Sequence, residues 1–304
     1  MATFAKSSFN AASYASFRPT YPSSLFSFIY AYHAQSGRAG WEKVVDLGCG
    51  TGQATLEIAN QFKQTVGCDP SKGMIENAQL SAQQSKLEQK PTFVVSSAEN
   101  LSFLEDNSVD MAIAAQAAHW FDYKTLFPEL GRVLKPGGTV AFWNYNELRF
   151  GGRPALDQLV TRYSHDEKSL GPHWQQPGRS ILEGYLQRIP TPTDAPWDPA
   201  SNRRVYFVGD HEPELQGEKH PVILKKYLSW ANFSQYLRTW SSLHDYLDKH
   251  PEDKDSSGGD ISDRFVREVR EAGEKIPEAD AKAWEDGFEA EWPLALYLLR
   301  RRLD

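Results

Sequence analysis

Three glycines at alternate positions, Gly48, Gly50 and Gly52, separate the apolar run Trp41 to Val45 from a stretch of helical periodicity, Gln53 to Phe62. The order is strand, tight loop, helix. A loop without Cβ atoms lets a ligand approach the backbone closely and offers it free amide donors at the positive end of a helix dipole. This is the form of a nucleotide-cofactor loop. A dinucleotide fingerprint has a third glycine at its sixth position, where this chain carries Gln53, and an acid, Asp46, stands just before the first glycine. Both departures count against a nicotinamide-dependent oxidoreductase.

With 304 residues the chain can bury one large α/β core with insertions, and we read residues 1–304 as a single domain. The net charge of -7 argues against a nucleic-acid partner, because phosphate affinity needs clustered cations. The expected partner is a small molecule, with no obligate protein partner. The two cysteines, Cys49 and Cys68, fall at strand ends rather than in metal-ligand spacing, so neither a metal site nor a disulfide framework is expected. No run approaches the roughly 20 apolar residues of a membrane span. These features describe a cytoplasmic protein.

Downstream of the loop, Gln64 to Asp69 is a second short strand that ends in an acid at the position of a ribose ligand. Met74, just inside the next helix, either covers adenine as a soft apolar wall or packs in the core. Pro91 to Ser96 is a third strand. Val109 to Ala115 has the continuous apolar character of a central parallel strand. It runs into Gln116, His119 and Trp120, and in open α/β sheets such a loop faces the ligand crevice. Thr139 to Trp143 is a fifth strand, with Trp143 either lining the pocket or packing in the core. Phe150 to Pro221 is loop-rich, Arg203 to Val208 and Val222 to Tyr227 are strand candidates, Phe233 to Leu247 is helical, and Glu289 to Leu299 is a last strand interrupted at Pro293. Alternating elements of this kind build a doubly wound, mostly parallel sheet.

Five stretches carry a family resemblance. Asp46-Leu47-Gly48-Cys49-Gly50-Thr51-Gly52 resembles the first motif of the class I S-adenosylmethionine (SAM) methyltransferases, Asp/Glu-x-Gly-x-Gly-x-Gly. Tyr14 to Pro22, His119-Trp120-Phe121, Leu134 to Gly138 and Tyr236 to Ser241 resemble stretches of the trans-aconitate methyltransferase group. The resemblance implies a Rossmann-like seven-stranded α/β sheet. Residues 1–40 become an N-terminal arm and helix forming a lid, 41–145 the SAM-binding core, 150–221 an insertion lining the substrate site, and 222–304 the C-terminal part of the sheet. It also implies that Tyr14, Arg18, Asp46, Gly48, Gly50, Gly52, Asp69, Met74, Ala98, Glu99 and Gln116 hold the cofactor. His119, Trp120, Trp143 and Arg238 then face the acceptor.

The expected reaction is methylation of a small molecule, with the carboxylate of a small organic acid as first choice. Arg18 or Arg238 would orient such an acceptor. If the acceptor is instead a hydroxyl, thiol or amine, His119 is the natural base. A non-catalytic SAM-binding protein is the reading from another class.

Overall fold

The computed structural model describes residues 17–276 and 281–304, with the side chains of 281–283 left aside; Tyr14 and most of the expected arm lie outside the described residues. Strand β1 (Lys43–Leu47) pairs in parallel with β2 (Gln64–Asp69) on one side and β4 (Val109–Ala115) on the other. Strand β3 (Thr92–Val95) extends the sheet beyond β2, and β5 (Leu134–Tyr145) extends it beyond β4, both in parallel. Three of the strands after β5 complete the order β3-β2-β1-β4-β5-β11-β7-β8. There β11 (Leu294–Arg301) lies antiparallel between β5 and β7 (Trp197–Phe207), and β8 (Glu218–His220) adds a parallel edge. The sheet therefore has eight strands, one more than expected, because Glu218–His220 pairs with the end of β7.

Side chains along the central strands alternate between two cores, as a pleat with both faces covered requires. Met111 and Ile113 of β4 and Ala141 and Trp143 of β5 enter one core. Ala112, Ala114, Val140 and Phe142 enter the other. The first face is covered in part by α1 (Ser23–Ala34), whose Phe26 meets the Trp143 ring edge-on at 5.8 Å. Helices α2 (Gln53–Ile58), α3 (Lys72–Gln84) and α4 (Tyr123–Val133) follow β1, β2 and β4. Helix α2 stops well short of Phe62. Ser71 caps α3 by accepting from Met74 N, and Asp122 caps α4 by accepting from Lys124 N.

A second, three-stranded antiparallel sheet contains β6 (Arg149–Phe150), β10 (Gly287–Glu291) and β9 (Lys225–Ser229). The strand expected over Glu289 to Leu299 is thus two strands in two sheets, divided at Trp292-Pro293. Proline has no N–H for a ladder, and the Pro293 carbonyl instead accepts from Asn146 N at 2.8 Å. Helices α5 (Asp157–His165) and α6 (Gly178–Glu183) precede β7. The helix expected over Phe233 to Leu247 is two, α7 (Trp230–Leu237) and α8 (Ser241–Lys249), followed by α9 (Ile261–Glu274) and α10 (Ala281–Asp286). Among the described residues no helix is long and apolar enough to cross a membrane.

Asp110 fastens the end of the sheet away from the glycine loop. Its buried carboxylate accepts from Glu42 N at 3.0 Å, Lys43 N at 2.8 Å and Lys135 Nζ at 2.8 Å, tying the starts of β1, β4 and β5 together. Lys135 is a third exposed and can turn to water, but a buried donor left without its acceptor costs about 1–3 kcal/mol. Asp110→Ala should therefore lower the unfolding free energy by that amount in denaturant titration, with cofactor contacts left in place.

Candidate active site

Where β1, β2 and β4 end, the backbone opens into a cavity of about 300 Å³. The loop after β1 owes its shape to glycine. Gly48 has φ +65° and its missing Cβ would stand 2.6 Å from the Ala117 Cβ, so no other residue fits. Gly50, at φ +54°, borders open space and lies in the cavity wall. Gly52, at φ +84°, starts α2 against Ala78 and Phe93 rather than lining the cavity.

Asp69 closes β2 at the cavity wall. Its Oδ2 accepts from Gly50 N at 3.0 Å and its Oδ1 from Ser71 N at 2.8 Å. Burial pushes its pKa up in spite of those two bonds. Asp46 is placed differently: it is fully buried behind the loop, accepts from Thr55 Oγ1 at 2.6 Å and does not line the cavity. Burial raises its pKa to about 7 against that hydrogen bond, with a smaller push from the Asp69 charge. Met74, Ala98 and Glu99 lie in the wall, and Glu99 Oε1 accepts from Asp122 N at 3.0 Å. Tyr21, which sequence reasoning passed over as a binding residue, lies there too.

A second cavity, of about 90 Å³, adjoins the first and shares Gln116, Trp120 and Tyr145 with it. Gln116 takes φ +58°, a strained conformation for a residue with a side chain. It is held there by a reciprocal pair of bonds: its Nε2 donates to Tyr145 O at 3.0 Å and its Oε1 accepts from Tyr145 N at 2.8 Å. Arg18 lines this second cavity, not the first. Its guanidinium donates to Tyr145 Oη and Thr239 O, each at 3.1 Å, and faces the Tyr236 ring.

His119 also lines the second cavity. Its Nδ1 is 2.6 Å from Asn144 Nδ2, and burial, reinforced by the Arg179 charge, pushes its pKa down to about 3. Across the cavity Arg179, from α6, packs its guanidinium 4.0 Å over the Trp174 ring, donates to Ser164 Oγ at 2.7 Å and pairs with Glu147 and Glu183. Burial pushes Glu147 up, but the His165 hydrogen bond and the Arg179 charge outweigh it and hold the carboxyl at about 2.

Two expected acceptor residues are elsewhere. Trp143 is wholly buried, edge-on to Tyr21 and Phe26, because its place in the β5 alternation turns it into the core beneath α1. Arg238 follows α7 and donates to Asp260 Oδ2 at 2.8 Å and Asp263 Oδ1 at 2.7 Å, the two residues that form the α9 capping box. It lines neither cavity. The cation facing the cavity from the later part of the chain is Arg179, in a stretch without a spacing signal. Glu147 was likewise not singled out, whereas Trp174 lies in the insertion expected along the substrate site and Trp240 in the Tyr236 to Ser241 stretch that carries the resemblance. Among the described residues no group of three or more His, Cys, Asp or Glu could hold a metal ion.

Comparison with known proteins gives one family model, described as a methyltransferase domain, matching residues 45–142. A Saccharomyces cerevisiae protein described as a probable S-adenosylmethionine-dependent methyltransferase is 27% identical over 99% of this chain and 98% of its own. The Aspergillus candidus methyltransferase cfoB is 30% identical over 59% of each chain. Among solved structures, an Anaeromyxobacter dehalogenans protein described as a type II methyltransferase superposes with a TM-score of 0.60 at 27% identity, covering 93% of this chain and 98% of that one.

The Glu147 carboxyl makes part of the stability depend on acid. Its folded pKa lies below the ordinary value of 4.5, so its contribution is complete above about pH 4.5 and is lost as pH falls through about 2. At 1.36 kcal/mol per pH unit this amounts to about 3 kcal/mol. Equilibrium unfolding measured from pH 6 to pH 2 should show this slope in the wild type. In Glu147→Gln, less stable at neutral pH, the slope should be shallower by that amount, with the remainder kept by the other carboxylates held low in the folded state, Glu129, Glu218, Asp260 and Glu291 among them.

Proposed function

We propose that the chain is a class I S-adenosylmethionine-dependent methyltransferase, with SAM as cofactor, that methylates the carboxylate of a small organic acid; the methyltransferase-domain match over residues 45–142 and the similarity to methyltransferases over nearly the whole chain support this. The first cavity fits the cofactor: Gly48 and Gly50 lie in its wall, Gly50 with no Cβ beside open space, Asp69 offers a carboxylate for ribose hydroxyls, and Met74 provides an apolar wall. Bound SAM supplies an electrophilic methyl group. The protein's own part is to hold an acceptor oxygen in line with it and to exclude water, and such positioning is worth up to about 7–11 kcal/mol.

One observation carries the choice of acceptor. Neither the imidazole nor the carboxylate in the wall of the second cavity is suited to remove a proton near neutral pH, and burial pushes the Tyr236 phenol further from that range. His119 is held near 3 and Glu147 near 2, and an effective general base has a pKa close to the working pH. An acceptor that arrives already ionised needs no base, which a carboxylic acid with a pKa near 4 satisfies and a phenol near 10 does not. Arg18 and Arg179, both in the cavity wall, are the cations for its charge. Arg238, anchored on Asp260 and Asp263, has no part in this reading. A tricarboxylate of the trans-aconitate type is one member of the class, and the small second cavity favours compact acids.

Labelled SAM offered with a panel of carboxylic acids, phenols, thiols and amines should give base-labile methyl esters. Single-turnover rates with the best acid should be nearly flat from about pH 6 to 9. Label transferred only to phenols, thiols or amines, with a rate rising through a histidine-like pKa, would overturn the carboxylate assignment. Cofactor binding is tested separately: Asp69→Ala should weaken SAM by about 1.5–3 kcal/mol in calorimetry, the worth of hydrogen bonds to a charged group.

A further inference from the structure

Asn144 stands one residue before the end of β5, buried, and is not itself in either cavity wall. Its side chain meets one partner, the Nδ1 of His119, at 2.6 Å. The other ring nitrogen, Nε2, has no hydrogen-bond partner among the described residues, on a side chain that lines the acceptor cavity. A neutral imidazole carries a proton on one nitrogen only, so whichever group Asn144 presents to Nδ1 decides what Nε2 offers to the cavity.

The two orientations of the amide are not equivalent. With Nδ2 towards the ring, one N–H is used and the Oδ1 is the atom left without a partner, as the buried Oδ1 is here. With Oδ1 towards the ring, both N–H groups of the amide are left in a buried site. Orphaned buried N–H groups are rarer than under-satisfied carbonyls, so the first arrangement is favoured. It makes Nδ1 the acceptor and leaves the proton on Nε2.

We propose that Asn144 is a positioning residue that fixes His119 as an Nε2–H donor aimed into the acceptor cavity, where it holds an oxygen of the acceptor carboxylate. This rests on the carboxylate reading above. His119 is then a hydrogen-bond donor throughout and neither takes up nor gives away a proton. The charged groups around it agree with that state. Arg179 on α6 repels an imidazolium, and Glu147, the nearest carboxylate in the cavity wall, is committed to Arg179 and His165.

The first arm of the test needs no acceptor and is therefore separable from the substrate assignment; the second uses one. In the full-length protein labelled with ¹⁵N-histidine, two-bond ¹H–¹⁵N correlation spectra identify the tautomer, with His119→Gln assigning the signals. Wild-type His119 should show a protonated, pyrrole-type Nε2 and a bare Nδ1, unchanged from pH 6 to 9. A protonated Nδ1, or an imidazolium forming within that range, overturns the proposal without touching the carboxylate reading. Asn144→Asp places an acceptor-only carboxylate against Nδ1, and the proton should move there. In that variant the KM for the acid that turns over fastest in the panel should rise tenfold or more, with SAM affinity unchanged. An unaltered KM in a variant whose tautomer has switched also overturns it, and the wild-type spectrum remains decisive if the variant fails to fold.

Discussion

Everything around the reaction centre hangs on the clasp between the Gln116 side-chain amide and the Tyr145 backbone. Two hydrogen bonds, at 3.0 and 2.8 Å, join the carboxyl end of β4 to that of β5 across a residue with positive φ. Strain at one backbone position persists only where its surroundings over-determine it. Here the surroundings are the two most buried strands of the sheet, fixed in parallel register from Met111 opposite Thr139 to Ala115 opposite Trp143. The clasp spends the Gln116 amide on the protein itself. What Gln116 presents to the two cavities is a rigid partition.

Much of this was legible in the residues. Short apolar runs that end in Asp69 and in Ala115, and glycines at alternate positions, encode local geometry that tertiary context has no freedom to change. The parallel sheet and much of the wall of the first cavity followed from them. The second cavity was legible only in part: Arg18, His119 and Trp120 stood out in the sequence, Glu147 and Arg179 did not, and the reason is physical. Its wall is built by side chains far apart in sequence, Arg18, Glu147, Trp174, Arg179 and Trp240, brought together by packing rather than by any periodic element. A cation at a helix end such as Arg238 shows in the sequence, but whether it meets a ligand or a capping box depends on where Asp260 and Asp263 are carried. The same holds for Trp143, since a strand buried on both faces does not announce which face a residue takes.

The two cavities also differ in how their charges are handled. On the cofactor side, Asp69 keeps its carboxylate oxygens occupied by backbone N–H groups, and the buried Asp46 sits behind the loop with its pKa raised to about 7. On the acceptor side, cations are tied to carboxylates and aromatic rings before any ligand arrives: Arg179 to Glu147, Glu183 and Trp174, Arg18 against Tyr236. Such anchoring removes rotamer freedom in advance, which lowers the entropy lost on binding and narrows the shapes that can be accepted.

The division of the last strand at Trp292-Pro293 bears on how far the two sheets can move apart. Strand β10 belongs to the small sheet and β11 to the middle of the large one, and the two residues between them span at most about 7 Å. A tether that short lets the small sheet tilt but not swing away, because any larger excursion would pull β11 out from between β5 and β7. The two sheets are therefore pinned to each other at this corner, and a change in one is passed to the other through two residues.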